Sequence, residues 1–308
     1  MAIAFNPVGT IPAALLPFTD DFGIDEGAFR AHLLELASTK GVTAVTVNGH
    51  ASEVASCTFE EQTRVMALSA EAVGRMTPLV AGIYTESTLE AKRLAKMSER
   101  EGASALLVFP PALFALGQRD EMVIGHFKHV ADASSLPIVL FQYPLARGEG
   151  YRLDLLSKLC DEVPSIVAIK DWCADPQLHE HHIRTLQGRA RPVNVLSTHS
   201  AWLFSSLALG CKGLLSGAGS VIAGLQAELL QAFEQDDLKR ARAVNERIYP
   251  LASVFYSAPW VDMHNRMKEA LVMLGKLQRS VVRPPLMPLG QQEKQRIRAA
   301  LVASGLLA

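Results

Sequence analysis

The chain has 308 residues, 49% of them hydrophobic and 20% charged, which is ample material for a large core and excludes general disorder. Its 30 Lys and Arg against 31 Asp and Glu leave a formal net charge of −1, so no broad positive field draws in nucleic acid. Cys57, Cys160, Cys173 and Cys211 are scattered without a Cys-x-x-Cys pair, which excludes a small disulfide framework and a recognisable zinc motif. No apolar run reaches the roughly 18 residues of a membrane helix, and no basic stretch precedes an apolar one at the start; a cytoplasmic protein is expected.

Short runs rich in β-branched and aliphatic residues recur along the chain, each followed by a segment of helical length. This alternation predicts a parallel sheet. Strands are expected at Ile11–Phe18, Val42–Val47, Pro78–Tyr84, Ala103–Phe109, Pro137–Tyr143, Ile166–Trp172, Val193–Thr198 and Gly213–Ala218. Thr58-Phe59-Glu60-Glu61 reads as a capping box opening one of the helices between them, with Val65, Leu68 and Val73 along its apolar stripe. Asp175-Pro176 opens another, and Gly188 closes it. Eight such units predict an α/β fold, a closed (β/α)8 barrel over residues 1–235. An open doubly wound sheet competes, but Thr19-Asp20-Asp21-Phe22-Gly23 stands where its Gly-x-Gly-x-x-Gly turn belongs. After about residue 236 the strand signals stop. Helices at Leu238–Tyr256, Val261–Leu274 and from Gln291 to the end predict a C-terminal helical extension over 236–308.

In such a barrel the active site is built at the C-terminal ends of the strands. Lys170 interrupts the apolar strand Ile166–Trp172 near its end and shares the face of Ala168. Desolvation there lowers a lysine pKa and frees the amine to attack a carbonyl. A rim ion pair with Asp171 fits this strand equally well.

The wider sequence separates the two. Val45-Thr46-Val47-Asn48-Gly49-His50-Ala51-Ser52-Glu53 resembles the strand and Gly-Thr-Thr-Gly-Glu loop of the dihydrodipicolinate synthase and N-acetylneuraminate lyase family. Ile138-Val139-Leu140-Phe141-Gln142-Tyr143-Pro144 is similar to its Tyr-Asn-x-Pro strand, and Ile169-Lys170-Asp171 to its Schiff-base segment, in the same order. Leu196-Ser197-Thr198-His199-Ser200 and the C-terminal Arg283-Pro284-Pro285-Leu286 extend the resemblance over the whole chain. It implies a lyase that joins Lys170 to a pyruvate-like 2-oxo acid as an imine, with an aldehyde as partner, no cofactor or metal, and a dimeric or tetrameric homo-oligomer. A dehydratase or deaminase using the same imine, and a catalytically silent family member, are the competing expectations.

The departures from the family's pattern redirect the chemistry. Phe141 stands at the tyrosine that relays protons in the family, Ala51 lies in the hydroxyl-bearing loop, and Val108-Phe109-Pro110-Pro111-Ala112 replaces the segment holding the second tyrosine. A benzyl ring carries no transferable proton. The chain is therefore not expected to be a true dihydrodipicolinate synthase. Tyr143, two residues beyond Phe141 and on its face, and His50, with a side chain suited to proton exchange near neutrality, are the expected replacements. The amides of His50 and Ala51, after Gly49, are expected to bind the substrate carboxylate, with Phe141 against the substrate. Arg147 is one place beyond the family's distal arginine, and His199, Ser200 and Ser216 are expected to shape specificity. On a helix, His179-Glu180-His181-His182 puts only His179 and His182 on one face and reads as a solvated surface, since metal ligands are expected at strand ends.

Overall fold

A computed structural model describes residues 3–308. Eight parallel strands follow one another in chain order: β1 (Gly9–Pro12), β2 (Val45–Val47), β3 (Leu79–Ile83), β4 (Ala105–Val108), β5 (Ile138–Gln142), β6 (Ile166–Asp171), β7 (Asn194–Ser197) and β8 (Gly213–Ser216). Each pairs with its neighbour in sequence, and β1 pairs with β8 from Gly9 opposite Gly213 to Pro12 opposite Ser216. Single bridges from Thr10 to Val42 and from Ala13 to Thr46 join β1 to β2 and close the ring. The result is the expected (β/α)8 barrel with a C-terminal helical region.

The strands are shorter than the apolar runs that announce them. Expected at Ile11–Phe18, β1 instead starts at Gly9 and stops at Pro12. Beyond it the Ala13 and Ala14 amides each make one more bond, to Ser216 and Thr46, and then Leu15 N donates to Ser220 Oγ, so the backbone leaves the ladder.

Between the strands lie α1 (Glu26–Ser38), α2 (Phe59–Val73), α3 (Thr88–Arg100), α4 (Asp120–Ala131), α5 (Leu153–Glu162), α6 (Pro176–Gln187), α7 (Leu203–Ala208) and α8 (Gly219–Glu234). The capping box of α2 is complete: Glu61 N donates to Thr58 Oγ1, and Thr58 N donates back to the Glu61 carboxylate. Asp175 caps α6 ahead of Pro176, accepting from the amides of Gln177 and Leu178. Either cap contributes about 1 kcal/mol by satisfying donors the first helical turn leaves free.

Helices α9 (Leu238–Phe255), α10 (Met263–Met273) and α11 (Gln291–Ala303) complete the chain. The helix expected from Val261 begins at Met263, because Trp260–Asp262 winds as a tighter 3-10 turn. Arg266 of α10 is almost wholly buried and donates to the carbonyls of Phe255, Ser257 and Pro259, tying α9, α10 and their connection together. Lys268, one turn from His264 on the same helix, forms a buried ion pair with Glu53 of the β2–α2 loop. The helical region is thus fastened to the mouth of the barrel. No helix among the described residues is long and apolar enough to cross a membrane.

Candidate active site

The C-terminal ends of the strands open into a cavity of about 610 Å³. Lys170 reaches it from β6, in register with Phe141 of β5 on one side and Leu196 of β7 on the other. Its side chain is only 7% exposed, and its Nζ lies 4.8 Å from the centroid of the Phe141 ring. Burial alone lowers its pKa from the ordinary 10.5 to about 7. Among the described residues no carboxylate pairs with Nζ. Asp171 points the other way, holding the amide of Cys173 and the rings of His179 and His182, so the rim ion pair that the strand alone allowed does not form.

Two of the expected proton carriers meet. Tyr143 Oη and His50 Nε2 are 2.9 Å apart, although 93 residues separate them in sequence. Burial holds the His50 imidazole well below its usual pKa, and the nearby positive groups of Lys170 and Arg147 add to that effect. Burial likewise pushes the Tyr143 phenol up, with Glu149 next in effect. Both groups are therefore neutral near pH 7, and the Tyr143 hydroxyl donates to His50 Nε2 when the ring proton sits on Nδ1. Phe109, Phe141 and Tyr143 surround the imidazole, with ring centroids 4.5, 5.7 and 6.0 Å away.

The loop carrying His50 is set by close backbone approach. Gly82 of β3 lies so near the Asn48 carbonyl that a Cβ there would sit 2.0 Å from its oxygen. Gly49 then leads into a 3-10 turn over His50–Ser52. In that turn the amides of Ser52 and Glu53 bond back to Gly49 and His50, while those of His50 and Ala51 take no acceptor among the described residues. Glu53 follows with a left-handed backbone at φ 50°, its carboxylate clamped by Lys268 and the amide of Arg283.

Of the other expected residues, Ala51, Phe141 and Arg147 line the cavity. Arg147 pairs with Glu149 at 2.8 Å and lies over the Tyr143 ring. Gly49 is behind the wall. Ser200 and Ser216 are buried and bond to each other at 3.1 Å outside the cavity lining. His199 departs furthest from expectation, since its ring packs on Trp202 at 4.4 Å and faces Cys173. The solvated surface expected at His179 and His182 is also corrected: both are essentially fully buried, because they turn inward to satisfy Asp171.

The C-terminal region supplies cavity residues that a search of strand ends does not reach, among them Tyr256, Trp260, His264 and Arg283. Burial, aided by the charge of Lys170, lowers the pKa of His264 to about 3. Tyr256 Oη accepts the amide of Ala218 at 3.1 Å, beyond the end of β8.

The model of the dihydrodipicolinate synthetase family matches residues 6–304. The 4-hydroxy-tetrahydrodipicolinate synthase of Bartonella henselae is 31% identical over 299 residues, covering 97% of this chain and 98% of that protein. Its counterpart from Maridesulfovibrio salexigens is 29% identical over 301 residues, covering 97% and 99%. A prophage protein of the dihydrodipicolinic acid synthase family from E. coli K12, solved in complex with pyruvate, aligns with a TM-score of 0.90 at 25% identity over 98% of this chain and 100% of its own. The synthase from Methylacidiphilum fumariolicum SolV gives 0.88 at 25% identity, covering 98% and 100%.

Proposed function

Since the chain belongs to the dihydrodipicolinate synthetase family of aldolase-type lyases, we propose that Lys170 forms an imine with a pyruvate-like 2-oxo acid and uses it to make or break a carbon–carbon bond. The observation that carries this reading is the buried, unpaired Lys170 at the end of β6, a free amine for a large part of the time near neutrality. Nζ attacks the C2 carbonyl, and the carbinolamine loses water as a proton is delivered to its hydroxyl. The protonated imine then withdraws electrons from C3. Loss of a C3 proton gives an enamine, which adds to the carbonyl of an aldehyde, and the reverse sequence cleaves the same bond. The imine supplies the electron withdrawal for which a metal-dependent aldolase needs its ion.

The Tyr143–His50 pair is the proposed proton carrier in place of the tyrosine absent at Phe141. The unoccupied amides of His50 and Ala51 support a carboxylate site beside it. The named relatives are 4-hydroxy-tetrahydrodipicolinate synthases. With Phe141, Ala51 and Ala112 where the resemblance places the relay hydroxyls, this chain is proposed to prefer another aldehyde. Tyr84, Trp172 and Trp260 line the cavity and favour one with an apolar body. A cytoplasmic homo-oligomer, dimer or tetramer, belongs to the same proposal. Four free cysteines support the compartment, and exposed Leu113 and Leu116 support the assembly, whose size light scattering measures.

Borohydride reduction with pyruvate, run in the presence of EDTA, is expected to add one pyruvyl-derived group on the peptide containing Lys170. The same adduct on Lys170→Ala protein overturns the nucleophile. A panel of aldehydes then tests the substrate: aspartate semialdehyde condensing as fast as the best of them sinks that part of the proposal and leaves the imine standing. Tyr143→Phe and His50→Ala should each lower turnover on the best aldehyde by about 10²–10⁴-fold while the trapped adduct persists.

A further inference from the structure

The side of β6 opposite Lys170 carries a second cluster, which the lyase chemistry leaves unused. Asp171 ends the strand and, by the two-residue alternation, turns away from the lumen toward α6. Its Oδ2 accepts from Nδ1 of His179 and Nδ1 of His182, each at 2.8 Å, and its Oδ1 accepts from the Cys173 amide at 2.9 Å. Cys173 Sγ lies 3.8 Å from Nε2 of His199, which follows β7. One ligand-type atom from each of Asp171, Cys173, His179 and His199 falls within 4.8 Å of all the others. None of the four residues is more than 4% exposed.

Hydrogen bonding does not account for the whole cluster. Nε2 of His179 and Nε2 of His182 are buried with no partner among the described residues, and a buried nitrogen without one forfeits its hydration for nothing. The Nδ1 of His179 that faces Asp171 Oδ2 can exchange this hydrogen bond for an ion shared with the carboxylate, its proton passing to Nε2.

We propose that Asp171, Cys173, His179 and His199 bind one zinc ion, with His182 bracing Asp171 from its other side. Thiolate and imidazole donors with a single carboxylate suit zinc rather than magnesium or calcium. Cys173 releases its thiol proton to solvent on binding. One thiolate and one carboxylate then cancel the charge of the ion, leaving a neutral complex of the kind a dry interior tolerates. Zinc holds such ligands at about 2.0–2.3 Å, so the four ligand atoms, which lie within 4.8 Å of one another, draw in toward one centre to close the tetrahedron. Four protein ligands leave no open position, and the ion is structural. It pins the β6–α6 connection to the segment after β7, directly behind the strand that carries Lys170. The site stands independently of the lyase reading, since ion binding is measured without substrate.

The test uses the full-length protein stripped with a chelator, titrated with zinc against a chromophoric competitor and separately with cobalt(II). One ion per chain is expected, with a thiolate-to-cobalt charge-transfer band in the near ultraviolet and a higher melting temperature on adding zinc. His182→Gln, which removes only the brace, should weaken binding by about 10–100-fold. Cys173→Ser should abolish the charge-transfer band and weaken zinc binding at least as much. No saturable binding by the unmodified protein, a cobalt spectrum without the thiolate band, or wild-type affinity in Cys173→Ser and His199→Ala would each overturn the site. Should the Cys173 variant not fold, the stoichiometry and cobalt spectrum of the unmodified protein decide alone.

Discussion

Among the described residues two lysines are buried, and they have opposite surroundings. Lys170, at the end of β6, faces the Phe141 ring and finds no anion among the described residues, so burial is the one cause acting on its pKa. Lys268, in α10, is fully enclosed, but its ammonium meets the Glu53 carboxylate and donates to the carbonyl of Val281 at 2.9 Å. Burial lowers its pKa too, while the attraction of Glu53 pulls it back up. A buried ammonium with an anion beside it is a strut. Without one it gives up its proton readily, and what remains is a nucleophile.

The contrast is tested most severely by removing each lysine in turn. Lys268→Met leaves Glu53 buried and unpaired and should cost about 3–5 kcal/mol in chemical denaturation, with Glu53→Gln recovering most of the loss. Lys170→Met should instead stabilise the fold near pH 7. The unfolded chain holds the Lys170 proton up to 10.5 and the folded one only to about 7, so the penalty is full below pH 7 and fades as pH rises toward 10.5. Equal losses in the two variants would erase the distinction. A smaller effect comes from giving Lys170 an anion. Phe141→Glu should raise its pKa by roughly one to three units, and the pH profile of pyruvate trapping should move up by the same amount; an unmoved profile would show that the missing partner is not what activates the amine. Smallest is the profile of the unmodified protein, in which trapping should rise about tenfold per pH unit on approaching about 7 and then level off, following the free amine. A rise delayed to pH 10 would place Lys170 among ordinary lysines.

The barrel was legible because each buried parallel strand is a short apolar run between breakers; Lys170 stood out as a charge inside such a run, but only the family resemblance favoured a nucleophile over a rim ion pair. Alternation along β5 also placed Tyr143 on the face of Phe141. It could not show that Tyr143 reaches His50, whose position depends on the Asn48 backbone packed against Gly82. The reading of α6 failed for a different reason. Its many polar residues suggest solvent contact, yet the same alternation that turns Lys170 inward turns Asp171 outward onto that helix, and following Asp171 would have found His179 and His182. His264 and Arg283 come from the C-terminal region rather than from a strand end; the Arg283 segment entered only as part of the resemblance, and nothing pointed to His264.

The tie between Glu53 and Lys268 bears on how variants of this chain should be scored. Glu53 ends the short turn that presents His50, and its carboxylate is gripped from α10 and from the Arg283 backbone. A genetic screen for lost activity would therefore return substitutions at Lys268 beside those at His50 and Tyr143, although Lys268 lies outside the cavity lining. Only a screen that also records how much folded protein each clone accumulates would sort the inheritance of a broken hinge from that of a broken reaction.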